Sequence, residues 1–206
     1  RLLPLFGIDV KRGEGAVSVA GGLKMARAQL SVPGAISSAA FWVVAATLVE
    51  GSELSLIEVG ANPTRTGFLD VLDRMGAHIE RRPWAEDLIG AVEPIFDLAV
   101  RFARLKSADI EPGEVPGLID EVPILALAAT QAKGTSRFKG LAELRHKESD
   151  RLTVLAELLT AFGAKAVVEG DDLIVSGPTP LSGVSVSARA DHRLAMTALV
   201  AGLIAK

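Results

Sequence analysis

Three segments of this chain follow one plan: an amphipathic helical stretch runs into a glycine and then into a strand. Residues 2–6 lead to Gly7-Ile8-Asp9-Val10, residues 68–75 to Gly76-Ala77-His78-Ile79, and residues 152–162 to Gly163-Ala164-Lys165-Ala166. Each glycine suits a left-handed helix C-cap, after which the chain turns into extended backbone. A second repeated element precedes the later two copies. Ala-rich helices are expected at residues 37–49 and 120–131, each followed by a turn and a short strand, at 53–57 and 135–138. A strand at 184–187 and a helix at 191–205 open a third copy. The unit is therefore helix, strand, helix, strand, strand, with residues 173–175 as the last strand of one copy. This alternation predicts an α/β layer architecture, and its repetition predicts a pseudo-symmetric domain in which equivalent helix starts converge.

At 206 residues, 49% of them hydrophobic, the chain has the size of one full domain plus an extra piece. Residues 1–30 hold a short helix, a strand at 16–19 and the Gly21-Gly22 turn, too little for a domain, and are assigned to a neighbour. The first residue is Arg1 and residues 1–10 lack the apolar core of a signal peptide, so the start reads as cut from something longer. The longest apolar stretches, 35–49 and 119–132, carry polar residues and fall short of the roughly 20 apolar residues that span a bilayer, so they are read as core helices and no membrane partner is expected. The absence of cysteine removes disulfides, thiolate metal sites and cysteine nucleophiles, and points to a cytoplasmic protein. With 22 basic and 25 acidic residues there is no broad basic face for nucleic acid, which leaves small anions open. Residues 82–104 are punctuated by Pro83 and Pro94. Within them 98–105 reads as strand or short helix, and no chemistry is assigned there.

The chemistry concentrates at helix starts. In residues 147–151 four full charges and a hydroxyl crowd the point where Leu152, Leu155, Leu159 and Phe162 begin to recur at helical spacing. Ser149 is the expected N-cap, which places Arg151 in the first turn. A cation there opposes the helix dipole unless an anion sits over both. Asp191-His192-Arg193 repeats the pattern, with Asp191 as cap and Arg193 in the first turn. Asp120 is expected to cap the second Ala-rich helix, with Pro123 in its first turn, and a carboxylate at that mouth serves as general base if a substrate hydroxyl lies within about 3 Å. Glu148 continues the stripe of Leu144, Leu152 and Leu155 and is expected to face inward, where a half-buried carboxyl between Lys147 and Arg151 suits proton exchange. Each residue also has a plainer reading: surface arginines paired with neighbouring aspartates, Asp120 as an ordinary cap, and Glu148 exposed beside Lys147. Other motifs fail. Gly13-Glu14-Gly15 lacks the rest of a dinucleotide fingerprint, no Walker lysine is present, His78, His146 and His192 lack metal-ligand spacing, and two tryptophans without tyrosine make no platform for bases.

Lys147-Glu148-Ser149-Asp150-Arg151 and Asp191-His192-Arg193-Leu194-Ala195-Met196 each resemble a signature of the EPSP synthase (3-phosphoshikimate 1-carboxyvinyltransferase) family. Leu118-Ile119-Asp120-Glu121-Val122-Pro123 and Asn62-Pro63-Thr64-Arg65-Thr66-Gly67 match as well, in the same order. The resemblance implies a pseudo-threefold, inside-out α/β barrel domain. Residues 31–206 would form the second of two domains, without its usual C-terminal segment, and residues 1–30 would be the end of the first. It further implies transfer of the enolpyruvyl group of phosphoenolpyruvate to the 5-hydroxyl of shikimate 3-phosphate, with release of phosphate and with no metal or organic cofactor. By motif position Asp120 would orient or deprotonate the hydroxyl, Lys147 would contact shikimate 3-phosphate, Glu148 would move protons at the methylene carbon, and Arg151 and Arg193 would hold phosphoenolpyruvate. The family's first-domain loops have no counterpart here, so activity is expected to need the missing domain. The alternatives are an enzyme like UDP-N-acetylglucosamine enolpyruvyl transferase and a non-catalytic ligand-binding domain. Two positions depart from the family pattern: Ala35 stands where aspartate is usual before Ile36-Ser37-Ser38, and Ala190 replaces the usual glycine before Asp191, which puts the backbone angle there in question.

Overall fold

Helices α1 (Ile36–Leu48) and α3 (Val122–Gln131) are apolar on nearly every side, a pattern that suits burial all round rather than one packed face. The structure, a computed structural model, describes residues 2–84 and 93–206 and places both helices in the core. Residues 122 to 130 of α3 are all buried. Helix α2 (Gly67–Met75) is strongly two-sided instead: Phe68, Leu69, Val71, Leu72 and Met75 face inward. It ends at Gly76, whose φ of 88° lets its amide and that of Ala77 close on carbonyls of the last turn. Helix α4 (Arg151–Ala161) plays the same part in the second copy and is followed by Gly163 at φ 91°.

Two complete copies of the unit are present. In the first, β3 (Glu53–Gly60), β4 (His78–Pro83) and β5 (Ile95–Arg101) form an antiparallel sheet in the order β3-β5-β4. In the second, β6 (Gly134–Phe138), β7 (Lys165–Glu169) and β8 (Asp172–Gly177) form an antiparallel sheet in the equivalent order β6-β8-β7. Leu98 and Val100 point into the core on β5, so the ambiguous stretch around 98–105 begins as strand. Part of the punctuated segment, residues 85–92, lies outside the described residues.

Helix α5 (His192–Ile204) stands where α1 and α3 stand in their copies, and packs against both. The strand expected at 184–187 is not formed. No strand among the described residues offers it a ladder, and Val186 packs against the core instead. Leu199 and Leu203 on α5 are exposed by 73% and 62%, and α1 likewise exposes Trp42, whereas residues 122 to 130 of α3 are all buried. At the other end of the chain the expected first helix is only a 3-10 turn, Leu3–Phe6, with Pro4 in its opening positions and Gly7 as left-handed cap. Strands β1 (Val10–Gly13) and β2 (Ala16–Val19) pair as an exposed hairpin forming a sheet of their own. No helix among the described residues is long and apolar enough to cross a membrane.

Candidate active site

The starts of α1, α3 and α5 meet at one end of the core, and the loops that open α2 and α4 close over them. Asp120 lies at the centre, in a 3-10 turn (Ile119–Glu121) that feeds directly into α3. The chain is therefore already helical when it reaches Asp120, and the carboxylate does not cap α3 as expected. It turns towards four cations. Its Oδ2 is 3.4 Å from Arg65 Nη2 and 3.5 Å from Arg193 Nη2, while Oδ1 is 3.7 Å from Arg151 Nη1 and 3.9 Å from Lys147 Nζ. Arg193 Nη1 also donates to the Asp120 carbonyl at 3.0 Å, which ties the start of α5 to the turn before α3.

Arg151 is the first residue of α4 and is 1% exposed, an unusual place for a guanidinium. Its burial is compensated by carboxylates: Nε donates to Asp191 Oδ2 at 2.7 Å, and Nη2 donates to Glu148 and reaches Asp191 Oδ1 at 3.4 Å. Nη1 is different. It is buried, has no hydrogen-bond partner, and faces Asp120 across 3.7 Å. Leaving such a donor unpaired costs about 1–3 kcal/mol, so the site holds one buried N–H edge that an acceptor would satisfy.

Asp191 has two jobs. It caps α5, accepting from the amides of Arg193 and Leu194, as expected from sequence, and it neutralises Arg151. Burial pushes its carboxyl up, but the Arg151 hydrogen bond and charge and the two amides outweigh this and hold it below the usual carboxylate range. Ahead of it the chain passes through the left-handed region at Arg189 (φ 48°) and Ala190 (φ 62°). Alanine thus adopts the backbone that glycine takes freely.

Two further expectations are corrected. Asp150, not Ser149, caps α4: it accepts from Thr153 N at 3.2 Å and from Thr153 Oγ1 at 2.8 Å, and Arg145 steadies it at 3.3 Å. Ser149 Oγ turns instead to Asp191 at 3.3 Å. Glu148 does not face inward. Its side chain is 45% exposed, with its carboxylate bonded to Arg151 on one side and 3.7 Å from the exposed His192 Nδ1 on the other. Lys147, expected beside Glu148, lies between Asp120 and Glu143, 3.6 Å from the latter.

Sequence reasoning missed Arg65, Ser37 and Glu121. Arg65 Nη2 donates to Ser37 Oγ at 3.0 Å, and Ser37 donates to Glu121, which is 1% exposed and 3.5 Å from Arg193 Nη1. Burial drives the Glu121 carboxyl above the usual range, against the lowering effects of Ser37, Arg193 and Arg65. One signal was available for Arg65: residues 62–67 open α2 in the first unit as residues 147–151 open α4 in the second.

As a whole the site is a ring of cations around one carboxylate, each cation held by acids or hydroxyls, with Arg151 Nη1 open. Such a surface suits a small anion with a hydroxyl beside it, because planar guanidinium edges match carboxylate and phosphate oxygens. Among the described residues no group of three or more His, Cys, Asp or Glu is disposed to hold a metal ion.

Comparison with known proteins agrees in kind. The sequence matches the family described as EPSP synthase (3-phosphoshikimate 1-carboxyvinyltransferase) over residues 1–206. It is 47% identical to a 3-phosphoshikimate 1-carboxyvinyltransferase of Synechococcus sp. (strain JA-3-3Ab) over 208 residues, covering 100% of this chain and 46% of that protein. It is 45% identical to one from Bacillus licheniformis, covering 99% of this chain and 47% of the relative. An EPSP synthase structure from Acinetobacter baumannii superposes with a TM-score of 0.90 at 38% identity, over 98% of this chain and 47% of that one. The enolpyruvyl transferase NikO from Streptomyces tendae shares the fold at 20% identity, with a TM-score of 0.72 over 98% of this chain and 45% of its own. The chain spans about half the length of the curated relatives it matches.

Proposed function

The chain belongs to the EPSP synthase family, and on that premise we propose that it supplies one face of an active site that transfers the enolpyruvyl group of phosphoenolpyruvate to the 5-hydroxyl of shikimate 3-phosphate, releasing phosphate. In this reading residues 31–206 belong to the second domain of the enzyme and residues 1–30 to the end of the first. The missing domain supplies the opposite wall.

The observation that carries the reading is the open Nη1 edge of the buried Arg151, facing Asp120 and adjoining Arg193. Arg151 and Arg193 hold the carboxylate and phosphate of phosphoenolpyruvate. Their forks are fixed beforehand by Asp191 and by the Asp120 carbonyl, so charge that shifts during transfer meets oriented donors. Asp120 accepts the proton of the attacking hydroxyl, and the surrounding cations keep that carboxylate within reach of the substrate. Lys147, poised 3.9 Å from Asp120, contacts the shikimate side. The exposed Glu148 protonates the methylene carbon as the tetrahedral intermediate forms and takes a proton back from the resulting methyl group as phosphate leaves with the proton that Asp120 accepted. Its place at the pocket mouth beside His192 gives it a route to solvent.

The test is phosphate release from phosphoenolpyruvate and shikimate 3-phosphate, measured with this chain alone and with the first domain added. Turnover is expected only in the mixture. There, Asp120→Asn and Arg193→Ala are each expected to lose roughly a hundredfold or more in kcat/KM, a scale typical of lost general-base or charge-stabilising groups. Full activity of either variant would refute its assigned role.

A further inference from the structure

We infer that Glu121 is a positioning residue of this site: held by Ser37, it fixes the Arg193 guanidinium, and Arg65 secures the other end of the same chain of contacts. The inference rests on the proposed role of Arg193.

Glu121 is 1% exposed and its carboxylate is engaged by Ser37 and Arg193, so any part it plays runs through these neighbours. Its Oε1 accepts from Ser37 Oγ and stands 3.5 Å from Arg193 Nη1. Ser37 Oγ in turn accepts from Arg65 Nη2 at 3.0 Å. These residues come from all three copies of the repeat, Ser37 and Arg65 both from the first. Ser37 is in the first turn of α1, and Arg65 is in the loop before α2. Glu121 directly precedes α3, and Arg193 is the second residue of α5. The chain of contacts therefore fastens three helix starts to one another at the point where the anion is to be held.

Scaffolding alone does not account for a carboxylate here. A buried ion gives up its hydration, and replacing a whole buried ion pair by apolar groups of similar volume is often neutral or stabilising. The charge makes sense when its partner must stay put. The other acid close to Arg193 is Asp120, through its carbonyl at 3.0 Å and its Oδ2 at 3.5 Å. When Asp120 turns its carboxylate to a substrate hydroxyl, Glu121 is the acid that still holds Arg193, as Asp191 holds Arg151.

The experiment uses Glu121→Gln, which keeps an acceptor for Ser37 and removes the charge. Solvent exchange of the Arg193 and Arg151 Nε–H protons is followed by side-chain NMR on this chain, with the signals assigned through Arg193→Lys and Arg151→Lys. Phosphate-release kinetics are measured in the mixture with the first domain. Loss of a charged hydrogen-bonding partner is expected to speed Arg193 exchange and to lower kcat by about tenfold each, leaving Arg151 exchange and KM within about threefold. Unchanged Arg193 exchange overturns the inference whatever kcat does, and so does faster exchange with wild-type kcat. Should the wild-type mixture fail to turn over, the proposed activity falls and the exchange measurement alone decides the positioning claim. If Glu121→Gln does not fold, Ser37→Ala, which frees Glu121 from its donor, is read in the same way.

Discussion

The two complete repeats share helix order, strand order and a glycine after the outer helix, yet they treat the arginine at the mouth of that helix in opposite ways. In the second repeat Arg151 is buried at 1% exposure and bonded to Asp191 and Glu148. In the first, the Arg65 side chain is 46% exposed and leans on a hydroxyl and on the shared Asp120. Duplication supplied the scaffold, and the surrounding acids made the difference. One guanidinium is locked in place before any ligand arrives, whereas the other keeps much of its hydration and its freedom.

Removing the lock gives the largest expected effect. Asp191→Asn removes the fully buried charge paired with Arg151, while asparagine can still cap α5, and is expected to cost about 3–5 kcal/mol in urea unfolding. A loss below about 1 kcal/mol would erase the contrast with Arg65, since it is the exposed pairs that contribute so little. The two buried acids should also answer to pH with opposite sign. Asp191 is held below its ordinary value of 3.8, so its contribution is present above that pH and disappears as the pH falls through the depressed value. Glu121 is pushed above its ordinary value of 4.5 by burial, so keeping it ionised beside Arg193 costs stability that the neutral form does not, and stability is lost as the pH rises through the elevated value. The stability of Glu121→Gln relative to the unmodified chain should accordingly improve as the pH is raised above the ordinary value of 4.5. A flat difference there contradicts the assignment.

Smaller changes sharpen the comparison at the helix starts. Ala190→Gly relieves an alanine at φ 62° ahead of α5 and is expected to add about 1 kcal/mol, read as a raised unfolding midpoint. Helix α1 starts at Ala35, which offers no side-chain cap, whereas α5 has Asp191 and α4 has Asp150. Ala35→Ser should gain about 0.5–1 kcal/mol by the same measurement, and the matching Asp150→Ala should lose a similar amount. Arg65→Ala is the smallest, expected within about 0.5 kcal/mol of the parent in stability.

Local pattern made the scaffold legible. The later two helix-glycine-strand copies, the core placement of the helices at 37–49 and 120–131, and the Asp191 cap all follow from periodicity and capping chemistry within a few residues. Where two neighbours competed for one role, the pattern could not choose. Asp150 rather than Ser149 caps α4 because Arg145 and Thr153 converge on its carboxylate. A preceding 3-10 turn displaced Asp120 from its expected cap. The outward swing of Glu148 was hidden because its partner Arg151 took the interior place. The contacts of Arg65 and Glu121 join positions 28 and 84 residues from Ser37, so only the packed helices reveal them.

The clamp on Arg151 also has an entropic side. A long flexible cation normally surrenders rotamer freedom when it grips a guest, at about 0.5–1.5 kcal/mol for each such side chain. Arg151 gave up that freedom during folding, so under the proposed role an oxyanion would meet a guanidinium already oriented. The gain in binding would come from the unpaired, buried Nη1 acquiring its acceptor.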